Sequence, residues 1–160
     1  MKILITGGAG FIGSWVADAF LESGHEVLVI DDLSTGIAEN VPGGAQFRKG
    51  DIKDEVLVND VVADFKPDII NHHAAQIDVR KSVENPAFDA GVNILGTINL
   101  LQAAVRHDVR RFIFASTGGA IYGEPDKLPA DESTEPMPIS PYGVSKYAGE
   151  KYLEFYRFLY

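Results

Sequence analysis

Ile5-Thr6-Gly7-Gly8-Ala9-Gly10-Phe11-Ile12-Gly13 decides the fold. The apolar run Ile3–Thr6 before it reads as a strand. After it, Phe11, Ile12, Trp15, Val16, Ala19 and Phe20 recur at helical spacing, and Gly24 ends the helix. A strand–turn–helix with Gly7, Gly10 and Gly13 at the turn meets three physical needs. One glycine makes the tight turn, one lets a pyrophosphate approach the backbone, and one lets the helix pack on the sheet. The spacing is relaxed by one residue from G-x-G-x-x-G. Phe11 and Ile12 stand at the helix N-terminus, where backbone N–H groups favour an anion.

Outward from this turn the same alternation continues. Val27–Ile30 is a buried-type strand without polar alternation, as expected when both sheet faces are covered. Gln46–Arg48 is a shorter strand. Leu57, Val58, Val61, Val62 and Phe65 mark a helix stopped before Pro67, and Asp68–His72 a fourth strand. Pro86 to His107 reads as one long helix with Val92, Leu95, Ile98, Leu101 and Val105 on one stripe, and Arg111–Ala115 as a fifth strand. A Pro-rich loop, Pro125 to Pro138, precedes a last helix opened by Ser140 as N-cap and Pro141 at the first helical position. Alternating strands and helices predict an α/β fold, a doubly wound parallel sheet (a Rossmann fold) of order 3-2-1-4-5. Ligands of such sheets bind beyond the carboxyl ends of the strands, where every motif here falls.

Composition bounds the function. The 160 residues, 46% of them hydrophobic and 23% charged, make one globular domain, residues 1–160. A net charge of −9 argues against nucleic acid as a partner. It does not argue against a nucleotide, which helix termini can hold. With no cysteine, thiol chemistry and zinc–thiolate sites are excluded. Met1 to Thr6 runs straight into a strand without a leader, and no apolar run approaches a membrane span, so a cytoplasmic protein is expected. His72 and His73 resemble a metal pair, but neighbours on a strand face opposite sides and no carboxylate cluster accompanies them; no metal is assigned.

Asp31 closes the second strand about 20 residues beyond the glycine turn, where a carboxylate accepts hydrogen bonds from an adenosine ribose. It would repel a 2′-phosphate and so favours NAD over NADP. Asp32 beside it points elsewhere on extended backbone, but belongs to the same cofactor-binding segment. Tyr142 and Lys146, in Tyr142-Gly143-Val144-Ser145-Lys146, share a helix face at i and i+4. A tyrosine titrating near 10 is a poor base at neutral pH; a neighbouring ammonium and a cationic nicotinamide are expected to lower that value.

These segments, with Gly50-Asp51-Ile52, His73-Ala74-Ala75, Asn93 to Thr97 and Phe114 to Gly123, stand in the order found in extended short-chain dehydrogenases/reductases. The chain resembles their NAD-dependent nucleotide-sugar epimerase/dehydratase group from Met1 to its end. That resemblance implies that Asp51 and Ile52 flank the adenine, and that His73, Ala74, Ala75 and Gln76 line the cofactor groove. It further implies that Asn93 supports the active-site side, that Leu33, Ser34, Thr35 and Gly36 hold ribose and pyrophosphate, and that Phe11 and Ile12 offer backbone N–H groups. Tyr142 then acts as the base and Lys146 tunes it and holds the nicotinamide ribose. Thr117 or, failing that, Ser116 supplies the hydroxyl that bonds the sugar oxygen. The implied reaction is 4-epimerisation of a nucleotide sugar, a UDP-hexose, by transient hydride transfer to NAD. Dehydratases of the group place an acidic pair after the Thr, where this chain has Gly118 and Gly119, which cannot do acid–base work.

Family members continue past this helix into further strands and a C-terminal substrate-binding lobe, so the sequence predicts a truncated form. A module that binds NAD without turnover remains an alternative, as does a dehydratase or reductase. The aromatic residues of the last helix, Tyr147 to Tyr160, are expected to pack against the sheet and a partner helix. An apolar fifth strand left at the sheet edge invites pairing, and family dimers pack through the two long helices; a homodimer or larger assembly is expected.

Overall fold

The structure is a computed structural model describing residues 1–160. Its contacts group the chain into two compact units. One comprises Met1–Ala75 with Gly96–Ala115, the other Gln76–Leu95 with Ser116–Tyr160.

The first unit holds five parallel strands: β1 (Lys2–Thr6), β2 (Glu26–Asp31), β3 (Gln46–Lys49), β4 (Ile69–His72) and β5 (Arg111–Phe114). They run in the order β3-β2-β1-β4-β5, as the alternation of the sequence predicts. Ile3 pairs with Val27 and Ile69 in register, and Ile5 with Val29. The helices of this unit are α1 (Phe11–Glu22), α2 (Glu55–Phe65) and α5 (Gly96–Arg106).

Beyond the first residues of β1 and β2, the central strands are buried because both faces carry core. Ile3, Ile5, Val27, Val29 and Ile69 cluster with Ala17, Val16, Phe20 and Leu21 of α1. By strand alternation Leu4, Leu28, Ile30 and Ile70 face the other way, and the buried residues Val58, Val61, Val62, Phe65, Leu100 and Leu101 come from α2 and α5. Each such fully buried aliphatic side chain contributes roughly 1.5–3 kcal/mol relative to exposure. β3 is exposed along its length and β5 half-exposed, as edge strands are. Asp54 caps α2 by accepting from Leu57 N, and Lys66 in the left-handed region ends it before Pro67.

The second unit comprises α3 (Val79–Glu84), α4 (Pro86–Ala90), a π-helical turn at Gly91–Leu95, an irregular segment from 116 to 140, and α6 (Pro141–Leu159). α6 packs on α3, α4 and the π turn. Ser140 accepts from Gly143 N and Pro141 stands at the first helical position, as expected.

Three expectations are corrected. The long helix over 86–107 is α4, a π turn and α5 in succession. The widened turn sets the Asn93 amide inward, and Gly96 lets the chain pass against Ile52, whose Cδ1 would lie 2.6 Å from an added Cβ. The buried face of α5 is therefore Thr97, Leu100, Leu101 and Ala104, while Leu95 is exposed. On α1 the buried residues are Gly13 and Ala17, and Phe11, Ile12 and Trp15 face solvent, because the small side chains are those that admit the sheet. Phe155 and Phe158 of α6 and the terminal Tyr160 are exposed rather than packed within this chain.

Candidate functional site

The glycine turn is built as the sequence requires. Gly7 has φ +71°, and a Cβ there would lie 2.6 Å from Ala74 N; at Gly13 it would run into the Gly7 carbonyl oxygen. Gly10 is more open, its would-be Cβ meeting only Gly7 O at 3.3 Å. The turn is closed by Gly7 N donating to Ile30 O and Gly10 N to Gly7 O. α1 carries no side-chain cap at Gly10, and its first turn has no acidic residue. The leading N–H groups, those of Phe11 and Ile12 among them, lack intrahelical acceptors and lie at the positive end of the helix dipole. An uncapped helix start beside an open glycine is a seat for an anion.

Asp31, 8% exposed, braces this turn: Oδ2 accepts from Ala9 N (3.0 Å) and Oδ1 from Leu33 N (2.9 Å). A carboxylate offers about four acceptor sites, so capacity remains for a ribose hydroxyl. Asp32 instead accepts from Ser34 N (2.8 Å) and is exposed. Leu33 between them has φ +62°, uncommon for a residue with a side chain. Ser34 and Thr35 are exposed, and Gly36 sits against Asp31. Asp51 accepts from Lys53 N, and the Ile52 side chain is buried. His73 N donates to Thr6 O and Ala74 N to Thr6 Oγ1, which fixes the start of the segment His73-Ala74-Ala75. His72, 1% exposed, lies between Thr6 Oγ1 (2.6 Å from Nδ1) and Thr97 Oγ1 (3.0 Å from Nε2), against the rings of Phe112 and Phe114. Sequence reasoning placed this histidine no further than a strand. It is a buried tie between strands and α5.

In the second unit α6 holds Tyr142 half-buried and Lys146 4% exposed. Tyr142 N donates to the buried Ser82 Oγ (3.2 Å), and Ser145 Oγ to Tyr142 O (2.9 Å). Asn93 Nδ2 reaches Ser145 Oγ at 3.1 Å and Gln76 O at 2.9 Å, while Gln76 N donates to Asn93 Oδ1 (2.9 Å). Gln76, Asn93, Ser145 and the Tyr142 backbone are thus bound into one network. The Thr117 hydroxyl is within hydrogen-bonding reach of the Tyr142 phenol. Ser116 Oγ donates instead to Glu150 Oε1, one turn beyond Lys146. Of the two hydroxyls that the resemblance left open, Thr117 is the one within reach of the phenol.

The electrostatics correct the sequence reading. Burial pushes the Tyr142 phenol above 10; the Thr117 hydrogen bond pulls it back and the negative charge of Asp89 pushes it further up. Burial lowers Lys146 to about 8, against the opposing charges of Glu150 and Asp89. In the protein alone the phenol is not lowered, because desolvation outweighs the Thr117 hydrogen bond. Asp89, 1% exposed, and Ser82 are the functional-site residues that sequence reasoning missed. Nothing in local sequence marks a helical Asp as buried.

A glycine turn with an uncapped helix, a strand-end carboxylate and a Tyr/Lys pair with an attendant threonine define a class: nicotinamide-dependent enzymes of the short-chain dehydrogenase type. The family described as NAD dependent epimerase/dehydratase matches residues 3–160, and the chain belongs to it. Among its relatives are UDP-glucose 4-epimerases. The one from Mycolicibacterium smegmatis is 47% identical over 165 residues, covering 100% of this chain and 52% of that protein. The one from Rhizobium meliloti is 43% identical, covering 97% and 47%. The crystal structure of the Thermus thermophilus UDP-glucose 4-epimerase in complex with NAD superposes with TM-score 0.97 at 48% identity, over 100% of this chain and 52% of that one. The Thermotoga maritima enzyme, solved with UDP-glucose, gives 0.95 at 48% identity, over 98% and 51%. The chain spans about half the length of the curated relatives it matches.

Proposed function

We propose that the chain carries the NAD-binding and proton-transfer half of a nucleotide-sugar 4-epimerase acting on a UDP-hexose such as UDP-glucose or UDP-galactose. One observation carries this reading: the Tyr142–Lys146 pair with the Thr117 hydroxyl at the phenol, on a chain that also holds an uncapped glycine turn braced by Asp31. The residues that would hold NAD are Gly7, Gly10, Phe11, Ile12 and Gly13 at the pyrophosphate, with Asp31 to Gly36 at the adenosine ribose. Asp51 and Ile52 would serve at the adenine, and His73 to Gln76, Asn93, Tyr142 and Lys146 toward the nicotinamide. The fit rests on the spare acceptor capacity of Asp31, the unpartnered helix start and the openness at Gly10.

When bound, NAD would supply reversible hydride acceptance and a positive charge that favours phenolate. Tyr142 removes the proton from the sugar hydroxyl and later returns it. Lys146 as ammonium stabilises the phenolate and would hold the nicotinamide ribose. Thr117 orients the hydroxyl and donates to the phenolate oxygen, the one contact that already lowers the tyrosine in the free protein. With its phenol held high, Tyr142 is a poor base until that extra positive charge is present, so proton removal is coupled to cofactor occupancy.

Incubation with UDP-galactose and, separately, UDP-glucose tests this: interconversion above background supports the epimerase. Calorimetry with NAD and NADP, on wild type and Asp31→Ala, tests the cofactor part. NAD is expected to bind more tightly than NADP, and the substitution to weaken NAD. NAD binding without sugar conversion would instead support a second reading, an NAD-binding module without turnover. No helix is long and apolar enough to cross a membrane.

A further inference from the structure

Asp89 on α4 is a charged side chain with 1% of its surface exposed. Oδ1 accepts from Gln76 Nε2 at 2.9 Å and from Asn93 Nδ2 at 3.1 Å; Oδ2 has no hydrogen-bond partner. Burying a carboxylate is costly unless its charge is used. An asparagine in its place would offer the same acceptor to Gln76 and Asn93 without that cost. Hydrogen bonding therefore accounts for the position of the side chain and leaves its charge unexplained.

The network shows where the charge acts. Asn93, held by Asp89 and by both backbone groups of Gln76, reaches Ser145 Oγ, which in turn donates to the Tyr142 carbonyl. Asp89 is thus tied through two side chains to the turn of α6 between Tyr142 and Lys146. We infer that Asp89 is a positioning residue for this pair: its buried carboxylate steadies that turn through Asn93 and Ser145, and sets a fixed negative charge that keeps Lys146 an ammonium. The inference deepens the epimerase reading and rests on it for the pair's role in proton transfer.

The groups acting on Lys146 agree. Burial drives it toward neutrality, to about 8, and two charges oppose this: Glu150 on its own helix and Asp89 on α4. Tyr142 on α6 feels Asp89 as well. The charged residues of α3, Arg80, Lys81 and Glu84, are exposed to solvent, and the π turn carries none. Asp89 is the only one of these carboxylates that is withdrawn from water, where a charge acts most strongly.

Asp89→Asn keeps shape and acceptor and removes the charge. In chain labelled with ¹³C at lysine Cε, with the signal assigned by its loss in Lys146→Met, the Lys146 titration is followed in wild type, Asp89→Asn and Glu150→Gln. Proton affinity is expected to drop about tenfold in Asp89→Asn, one pH unit being a factor of ten. An Asp89→Asn midpoint equal to wild type, with Glu150→Gln displaced, would overturn the inference. Calorimetry with NAD on the same samples separates the two readings. Failure of wild type to bind NAD strikes the epimerase reading, while the lysine titration still decides the role of Asp89. Should Asp89→Asn not fold, the ¹³Cγ signal of Asp89 in wild type decides. A shift accompanying Lys146 deprotonation supports the inference, and a flat signal across that range refutes it.

Discussion

Lys146 is ionised at a cost, and that cost has a sign. The folded chain releases its proton near 8, whereas an unfolded lysine holds it to 10.5. Between these values the unfolded state binds more protons, so stability rises with pH in that window, and below it the full burial penalty persists. Relative to Lys146→Met, wild type is expected to gain up to about 3 kcal/mol from pH 8 to 10.5, read from urea melts along the series. A difference that stays constant would contradict the buried, depressed lysine. Thr117 is testable on the same scale. Thr117→Val removes the contact that lowers Tyr142 and should move tyrosinate absorbance to higher pH, whereas Ser116→Ala, whose partner is Glu150, should not. In a chain competent for turnover, Thr117→Val should also cost about 100-fold in rate, the low end of what positioned proton-transfer groups supply. The family resemblance brought the candidates down to these two hydroxyls. The choice needed the fold of the segment before α6, where no periodic pattern fixes which residue turns inward.

At the scale of elements, the glycine turn is the least tolerant part of the structure. Gly13 has no room for a Cβ against the Gly7 carbonyl, and backbone cannot yield as a flexible side chain can. Gly13→Ala is expected to destabilise by about 1–3 kcal/mol and to weaken NAD at least tenfold, since the same carbonyl closes the turn. Thermal melts and calorimetry check this, and an unchanged melt would sink it. The strands and the cap at Ser140 were legible because their chemistry lies within a few residues. α3 was not: a six-residue helix shows too little periodicity, though Asp78 caps it by accepting from Arg80 N and Lys81 N. The π turn was hidden for a different reason. A single inserted residue leaves the apolar count of the segment intact while rotating Leu95 out to solvent and Asn93 inward.

For the whole molecule the open features are apolar. β5 is a half-exposed edge, and Phe155 and Phe158 of α6 and the terminal Tyr160 are exposed. Surfaces of this kind favour association, and we expect a homodimer or larger homo-oligomer. Light scattering at micromolar concentration should return at least twice the 17.4 kDa chain mass; a monomer mass would count against it.

From its residues alone this protein's parallel strand order, its dinucleotide turn, the strand-end aspartate and the Tyr/Lys helix could be read, because φ preferences, caps and apolar periods act over a few neighbours. The tertiary structure decided which hydroxyl meets Tyr142, that Asp89 is buried, and that tyrosine and lysine are both pushed toward their neutral forms. Those outcomes turn on desolvation and on charges brought together from α4 and α6, and no local stretch of sequence contains either quantity.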